Sequence, residues 1–351
     1  MKDGVLRKLL WVTLCLVVAN VLVAWPRSTK GKPETTGTKG ERPLRVGLVF
    51  DVGGRGDKSF NDAAFLGVDR AVKELGIEAQ FIEPGDGADR ESGLRLLAAQ
   101  GFDLIFGVGF VFSDDMLHIA QEYPKQHFAC VDYAKFDKNG LVMPPKNMVA
   151  LKFREEEGSF LVGAVAALVS SSGVLGFVGG MDIPLIHKFE AGFRQGVHAV
   201  CSSCKVLVGY AGTSADAFKN PAKGKEIALS QYQAGAEVIF HAAGSTGLGV
   251  FEAARERKRK AIGVDNDQWE DAPHVLVTSM VKRIDVSVFQ VILDLQKKHF
   301  EPGVKVFGLR EGGVDYVYDE PRRGMIPKDV RERVEALRRD IISGNLVVSD
   351  R

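Results

Sequence analysis

From residue 44 onward, the chain alternates short apolar runs with amphipathic stretches, and this alternation constrains the fold more than any other feature. Between residues 60 and 75, for example, Ala64, Val68, Val72 and Leu75 recur at helical spacing, and Gly76 follows as a stop. The first series predicts strands at residues 44–50, 79–82, 104–108 and 128–131 and helices at 60–75, 91–100 and 114–122. Such repetition joins parallel strands through crossover helices on both faces of a sheet, so the predicted fold class is α/β.

A second series of the same kind follows a strand at residues 148–153 and an apolar helix around 160–169. It predicts strands at 174–178, 206–210, 238–241 and 262–264 and helices at 188–200, 223–234 and 248–258. Two series of similar length predict two lobes of one architecture. We expect an N-terminal lobe of residues 44–152 plus 265–303 and a C-terminal lobe of residues 153–264 plus 304–351.

The first 43 residues differ from the rest. Lys2, Arg7 and Lys8 precede an uncharged run at residues 9–25, which is the pattern of an export signal. The run is slightly shorter than a comfortable membrane-spanning helix, so residues 1–26 are either a cleaved signal peptide or an N-terminal membrane anchor. Residues 27–43 hold almost nothing to bury and are predicted to be a disordered tether. We therefore expect an exported protein, on the periplasmic side of the cytoplasmic membrane.

Charge and cysteine usage exclude some partners. The net charge of +1 lacks the basic excess that nucleic acids usually demand. Cys201 and Cys204 either close a small disulfide in an oxidising compartment or remain two thiols. A metal site would need further ligands at matching spacing, and no second Cys or His pair is nearby in the sequence. We expect no metal and no cofactor.

The segment DVGGRGDKSFN at residues 51–61 is the most informative loop. Its three glycines allow positive φ angles and close approach of the backbone to a ligand. Asp57 or Ser59 is placed to cap the following helix. If Ser59 is the cap, Asp62 is placed three residues later, where it would complete a capping box. The loop is neither a phosphate-binding loop nor a dinucleotide fingerprint, because its residues are not correctly spaced for either. A generic turn is the alternative.

Phe60 and Phe189 hold corresponding positions in the two halves, since each lies where a helix begins after a strand-end loop. Ligands of open α/β sheets bind at the carboxyl ends of the strands, so facing lobes would bring both rings to one cleft. Alternatively, each ring is a hydrophobic staple that packs its own helix. Spacing alone does not choose between these interpretations.

Five segments resemble a known family in order along the chain. They are VFDVGGRGDKSFN, GFVGGMDIPLIHKFEAGFRQG, HAAGSTGLGVFEAA, AIGVDNDQ and TSMVKRID. Together they resemble the basic membrane protein family, the purine-nucleoside-receptor type of ABC-transporter substrate-binding lipoprotein, over essentially residues 44–348. The resemblance implies a type I periplasmic-binding-protein fold, with two Rossmann-like lobes joined by hinge strands. It also implies binding of nucleosides and their delivery to an ABC permease in the membrane.

For a purine nucleoside, the resemblance favours Phe60 and Phe189 as a sandwich around the base, worth about 1–3 kcal/mol per stacked ring. Asn61 and Asp132 are candidates to bind the base edge. Asp265 is the leading candidate to accept hydrogen bonds from ribose hydroxyls. Four further residues are candidates. Asp51 is a cleft carboxylate, Ser59 a loop hydroxyl, and Gly244 a glycine that allows close approach of the backbone. Lys282 is a candidate to hydrogen-bond the sugar or to fix Asp265. Helix capping or a solvated helix start is the alternative for Asp132, Asp265 and Lys282.

The predicted function is therefore a non-catalytic, monomeric substrate-binding component of an ABC transporter. A binding protein or sensor for another small ligand, such as a sugar or an autoinducer, is one alternative, and a nucleoside-processing enzyme is another. The chain departs from the family at Cys15, which lies in the middle of the apolar run after Leu14, where lipoproteins carry a small residue. An uncleaved anchor and tether would hold the protein at the membrane by another route.

Overall fold

The computed structural model describes residues 42–85, 87–319 and 324–351. The predicted signal or anchor, Cys15 and most of the predicted tether lie outside the described residues. Within the described ranges, every helix is too short or too polar to cross a membrane.

In these ranges the chain forms twelve strands and nine α-helices. The strands are β1 (Arg45–Val49), β2 (Glu78–Ile82), β3 (Leu104–Val108), β4 (His127–Val131), β5 (Met148–Phe153), β6 (Val174–Met181), β7 (Lys205–Gly212), β8 (Val238–Ala242), β9 (Lys260–Asp265), β10 (Leu276–Lys282), β11 (Gly303–Phe307) and β12 (Val314–Tyr316). The helices are α1 (Phe60–Leu75), α2 (Gly87–Ala99), α3 (Ser113–Glu122), α4 (Glu155–Val169), α5 (Pro184–Val200), α6 (Pro221–Gln233), α7 (Gly247–Arg257), α8 (Ile284–Gln296) and α9 (Lys328–Ser343). Each strand and helix predicted from the apolar spacing lies within or overlaps one of these elements.

Two six-stranded sheets organise the chain. The first has the order β11-β5-β4-β3-β1-β2, and the second has the order β12-β10-β9-β8-β6-β7. Every pairing is parallel except that of β10 with β12. The strands β1, β3, β4 and β8 are almost wholly buried, as expected when helices cover both faces of a parallel sheet. We call the sheets and their helices the first lobe and the second lobe.

The helices pack in pairs on these sheets. In the first lobe, α1 packs against α8 and α2 against α3, whereas in the second lobe α4 packs against α5 and α6 against α7. The contact of α4 with α5 depends on glycines in GFVGGMDIPLIHKFEAGFRQG, the second of the five segments that resemble the family. A Cβ atom at Gly196 would lie 1.9 Å from the carbonyl oxygen of Phe160, and one at Gly192 would lie 2.1 Å from that of Glu156. These glycines therefore let the two helix backbones touch.

The chain crosses between the lobes three times, from β5 to α4, from β10 to α8 and from β11 to β12. This differs from the predicted boundaries of the lobes. Leu276–Lys282 pairs within the second sheet although residues 265–303 were assigned to the first lobe, and most of Gly303–Phe307, assigned to the second lobe, pairs with β5 of the first sheet. Apolar spacing predicts that a strand exists but not which sheet it joins, since strand pairing is a long-range contact. We propose that the lobes divide at these three crossings.

The turn between α5 and β7 contains the disulfide that the sequence left open. Cys201 and Cys204 are bonded to each other, and Cys130 is a free, buried thiol in β4. The disulfide closes the turn at the end of α5.

Candidate functional site

Asp57 organises the loop between β1 and α1. Its carboxylate accepts hydrogen bonds from the backbone nitrogens of Ser59 (2.9 Å), Asn61 (2.8 Å) and Asp62 (3.1 Å). These N–H groups belong to the start of α1, where no helical carbonyl can reach them, so Asp57 rather than Ser59 caps the helix. Burial raises the pKa of Asp57, and the backbone hydrogen bonds oppose that shift.

The predicted capping box of Ser59 and Asp62 does not form. Asp62 instead accepts hydrogen bonds from the backbone nitrogens of Gly56 (2.8 Å) and Lys58 (3.1 Å). The hydroxyl of Ser59 donates to the carboxylate of Asp265, in the other lobe. The three glycines of the loop have φ angles of 101°, 59° and 88°, the left-handed region that the sequence analysis expected.

Asn61 has both ends of its side-chain amide in the same loop. Its Oδ1 atom accepts from the backbone nitrogen of Asp51 (2.9 Å), and its Nδ2 atom donates to Asp57 (3.0 Å). The amide therefore braces the loop, which leaves one Nδ2 proton for a ligand. This differs from the predicted role of Asn61, which assigned both its donor and its acceptor to a base edge.

A cavity lies between the lobes, the kind of concave place where small molecules usually bind. Both lobes line it at the carboxyl ends of their strands, as open α/β sheets favour. The structure brings eight of the nine predicted site residues to this cavity: Asp51, Phe60, Asn61, Asp132, Phe189, Gly244, Asp265 and Lys282. The ninth, Ser59, is fully buried behind the cavity against Asp265.

Lys282 lies among aromatic rings at this cavity. Its Nζ atom is 5.2 Å from the ring centroid of Phe60, 5.8 Å from that of Phe189 and 4.8 Å from that of Phe153. Phe60 comes from the first lobe and Phe189 from the second, so rings of both lobes approach one ammonium group. Such contacts stabilise a cation through the negative face of each ring.

The ammonium group of Lys282 is paired with two buried carboxylates. It lies 2.6 Å from Oδ2 of Asp132 and 3.0 Å from Oε1 of Glu155. Burial by itself would lower the pKa of Lys282, but attraction from Asp132, Glu155 and Asp265 raises it above the ordinary value. Lys282 therefore directly pairs with Asp132, whereas the sequence had suggested Asp265. Among the described residues, Oδ1 of Asp132 has no hydrogen-bond partner and is buried at the cavity.

Asp132 and Asp265 hold equivalent places in the two lobes. Asp132 directly follows β4 and Asp265 ends β9, each the third strand of its sheet. Both have left-handed backbones, with φ angles of 59° and 64°. Burial raises the pKa of Asp265 to about 7, although Lys282 and the Ser59 hydroxyl pull it down. Burial likewise raises the pKa of Asp51 to about 7, against the hydrogen bond from the nitrogen of Val52.

Several residues that line the cavity were not predicted from the sequence, above all two aromatic ones, Phe110 and Phe218. Phe110 lies two residues beyond β3, so the strand-end rule that selected the Asp51 loop would also have found it. Phe218 lies six residues beyond β7, and no spacing in the sequence signals its approach.

No group of three or more His, Cys, Asp or Glu side chains in the described ranges is arranged to hold a metal ion.

Comparison with known proteins places this architecture in a family. The family model described as "ABC transporter substrate-binding protein PnrA-like" matches residues 44–351. A solved solute-binding protein of an ABC transporter system from Aeropyrum pernix has a TM-score of 0.77 at 32% identity, covering 88% of this chain and 94% of that one. The predicted type I periplasmic-binding-protein fold is confirmed by this likeness.

Two relatives found by sequence comparison support the same family. The ABC transporter nucleoside-binding protein BmpA of Lactococcus lactis is 31% identical over 341 residues, covering 90% of this chain and 92% of that protein. An uncharacterized lipoprotein of Pyrococcus furiosus is 34% identical over 314 residues, covering 86% of this chain and 75% of that protein. The chain belongs to the family of PnrA-like ABC transporter substrate-binding proteins, the basic membrane protein family.

Proposed function

We propose that this protein binds purine nucleosides in the cavity between its lobes and delivers them to an ABC permease in the membrane. The observation that carries the proposal is the presence of Phe60 and Phe189, from opposite lobes, at one cavity whose polar groups include buried carboxylates. A purine base offers two flat faces to such rings, and its ribose offers hydroxyl donors to such carboxylates. The lobes would close over the ligand by hinge motion.

The polar groups suit a ligand that donates hydrogen bonds. Oδ1 of Asp132 is a buried acceptor that no residue described in the structure pairs with, and a ligand hydroxyl or amine would satisfy it. Asp265 accepts a hydrogen bond from Ser59 and also lines the cavity, where a ligand hydroxyl could donate to it. We assign Asp265 to the ribose and Asp132 to the ligand's polar edge. The printed name of the Lactococcus lactis relative supports a nucleoside as the class of ligand.

Isothermal titration calorimetry with inosine, guanosine, adenosine, ribose and free bases tests this proposal. We expect nucleosides to bind more tightly than ribose or free base alone. Phe60→Ala and Phe189→Ala should each cost about 1–3 kcal/mol of binding free energy, the value of one stacked ring. Leu96→Ala, at an exposed apolar side chain of α2 that does not line the cavity, is the control and should bind as the wild type does.

Folded protein that binds no nucleoside would refute the assignment, and binding of ribose alone would favour a sugar-binding protein. Appearance of free base during incubation would instead indicate a nucleoside-processing enzyme. Delivery is tested separately by uptake of labelled nucleoside into cells with and without the protein.

We further propose export and tethering to the membrane, which the lipoprotein name of the Pyrococcus furiosus relative supports.

A further inference from the structure

Side chains that follow β9 reach across the lobe interface to the loop before α1. Nδ2 of Asn266 donates to the carbonyl oxygen of Ser59 (2.7 Å), and Nε2 of Gln268 donates to the carbonyl oxygen of Lys58 (3.0 Å). The Ser59 hydroxyl donates back to Asp265. We call these five residues the clasp. Asn266 and Gln268 do not line the ligand cavity, so their bonds join protein to protein directly.

The orientation of the Gln268 amide is set by the second lobe alone. Its Oε1 atom accepts a hydrogen bond from the backbone nitrogen of Val264 (2.8 Å), which identifies that atom as the oxygen and turns Nε2 toward Lys58. The backbone nitrogen of Gln268 donates to the hydroxyl of Ser279 in β10 (3.1 Å). Because the residue is fully buried, it has little freedom to turn away.

His241, in β8, is the remaining support of this amide. Its Nε2 atom lies 3.1 Å from Oε1 of Gln268. Burial lowers the pKa of His241 to about 4, so the ring is neutral and Nε2 carries its proton. Gly247 makes room for the ring, since a Cβ atom there would lie 2.0 Å from it. Three adjacent strands thus orient one amide toward the other lobe.

The first lobe presents its carbonyl groups in an equally fixed way. Lys58 has a φ angle of 58°, a conformation that a residue with a side chain rarely adopts. The hydrogen bond from its nitrogen to Asp62 and that from Ser59 to Asp57 hold this turn. The carbonyl groups of Lys58 and Ser59 are consequently oriented by their own lobe before the lobes meet.

We infer that Asn266 and Gln268 are positioning residues that favour closure of the lobes even without ligand. Both halves of the clasp are oriented by their own lobes, so closure forms these bonds with little further ordering. A closed conformer that is already favoured lowers the free energy a ligand must supply and slows its escape. This inference rests on the cavity as a ligand site but not on the ligand being a nucleoside.

Two near-isosteric variants test the clasp, Asn266→Asp and Gln268→Glu. Each replaces the donating amide nitrogen with an oxygen that faces a carbonyl oxygen, and Gln268→Glu keeps an acceptor for the nitrogen of Val264. Spin labels at Leu96 in α2 and Glu226 in α6, both exposed and in different lobes, report the distance between lobes in the full-length Cys15→Ser protein. Gln233→Glu, at an exposed position of α6, adds the same charge away from the interface.

We expect the ligand-free variants, but not the control, to shift toward longer distances between the lobes. Inosine should leave the variants about tenfold faster or more, at an unchanged association rate, as expected for loss of a buried hydrogen bond. Unchanged distance distributions in both variants would overturn the inference. If Gln268→Glu does not fold, Asn266→Asp and Asn266→Ala decide the question, because Asn266 is only part-buried. If inosine does not bind the wild type, the nucleoside assignment fails while the distances still test the clasp.

Discussion

At the scale of single residues, the cleft is defined by carboxyl groups that have been removed from water. Asp265 is buried and Asp51 is half-buried, and desolvation raises the pKa of each to about 7. Desolvation disfavours the charged form, and the neighbouring Lys282 and backbone donors only partly compensate. A ligand with hydroxyl donors would supply part of the missing solvation. The same burial makes the ligand-free protein sensitive to pH.

We predict that acidification from pH 8 to pH 6 raises the free energy of unfolding of the ligand-free wild type by about 1 kcal/mol more than that of Asp51→Asn. The pKa of Asp51 in the folded protein lies above the unfolded value, so its contribution is fully present at low pH and is lost as the pH rises through about 7. Urea denaturation at both pH values measures the difference. Asp216→Asn, at an exposed carboxylate, is the matched control, and parallel pH dependences of wild type and Asp51→Asn would contradict the prediction.

At the scale of elements, the start of α1 combines three tasks. Asp57 caps the helix, Asp62 holds the glycine-rich turn, and Phe60 enters the cavity from the first helical residue. Capping matters here because the loop is long and rich in glycine, so few side chains restrain it. The position of Phe60 therefore depends on the hydrogen bonds of its neighbours in the same loop.

Asp57→Ala should lower the free energy of unfolding by about 1–2 kcal/mol, because the buried start of α1 loses its capping carboxylate. It should also weaken ligand binding, since Phe60 and Asn61 follow the cap directly. Ser59→Ala keeps the capping bonds of Asp57 and should destabilise the protein less. Chemical denaturation compares the two variants, and an equal loss in both would argue against Asp57 as the cap.

At the scale of the whole molecule, a buried ion network joins the lobes beside the chain crossings. Lys282 ends β10 of the second sheet, whereas Asp132 follows β4 of the first sheet, and Glu155 begins α4 just after the first crossing. Attraction from Lys188 and Lys282 overcomes the burial of Glu155 and lowers its pKa to about 2. The ammonium group of Lys282 and the carboxylate of Glu155 are therefore each stabilised in the charged form by their neighbours.

Lys282→Met should lower the free energy of unfolding by about 3–5 kcal/mol, because it leaves the buried Asp132 without its ion-pair partner, while Glu155 keeps only its pair with Lys188. Adding Asp132→Asn should restore part of that loss. Lys305→Met is the control, since its pair with Asp294 is partly exposed and should be worth about 1 kcal/mol or less. Denaturation without ligand measures all three, and equal effects of Lys282→Met and Lys305→Met would contradict the network.

The sequence by itself determined the α/β class, the two lobes and about half of the residues at the cavity. Apolar spacing records which faces of a helix or strand are buried, and residues that follow a strand must lie at its carboxyl end. Asp51, Phe60, Asp132 and Asp265 were therefore predictable as neighbours of the cleft. Only the tertiary structure decided which sheet β10 and β11 join, which carboxylate pairs with Lys282, and that Asn61 braces its own loop. The position of Phe218 at the cavity and the hydrogen bonds of Gln268 were likewise decided only by the tertiary structure. All of these outcomes depend on distances between atoms that are far apart in the sequence, and only the packing of the lobes sets those distances.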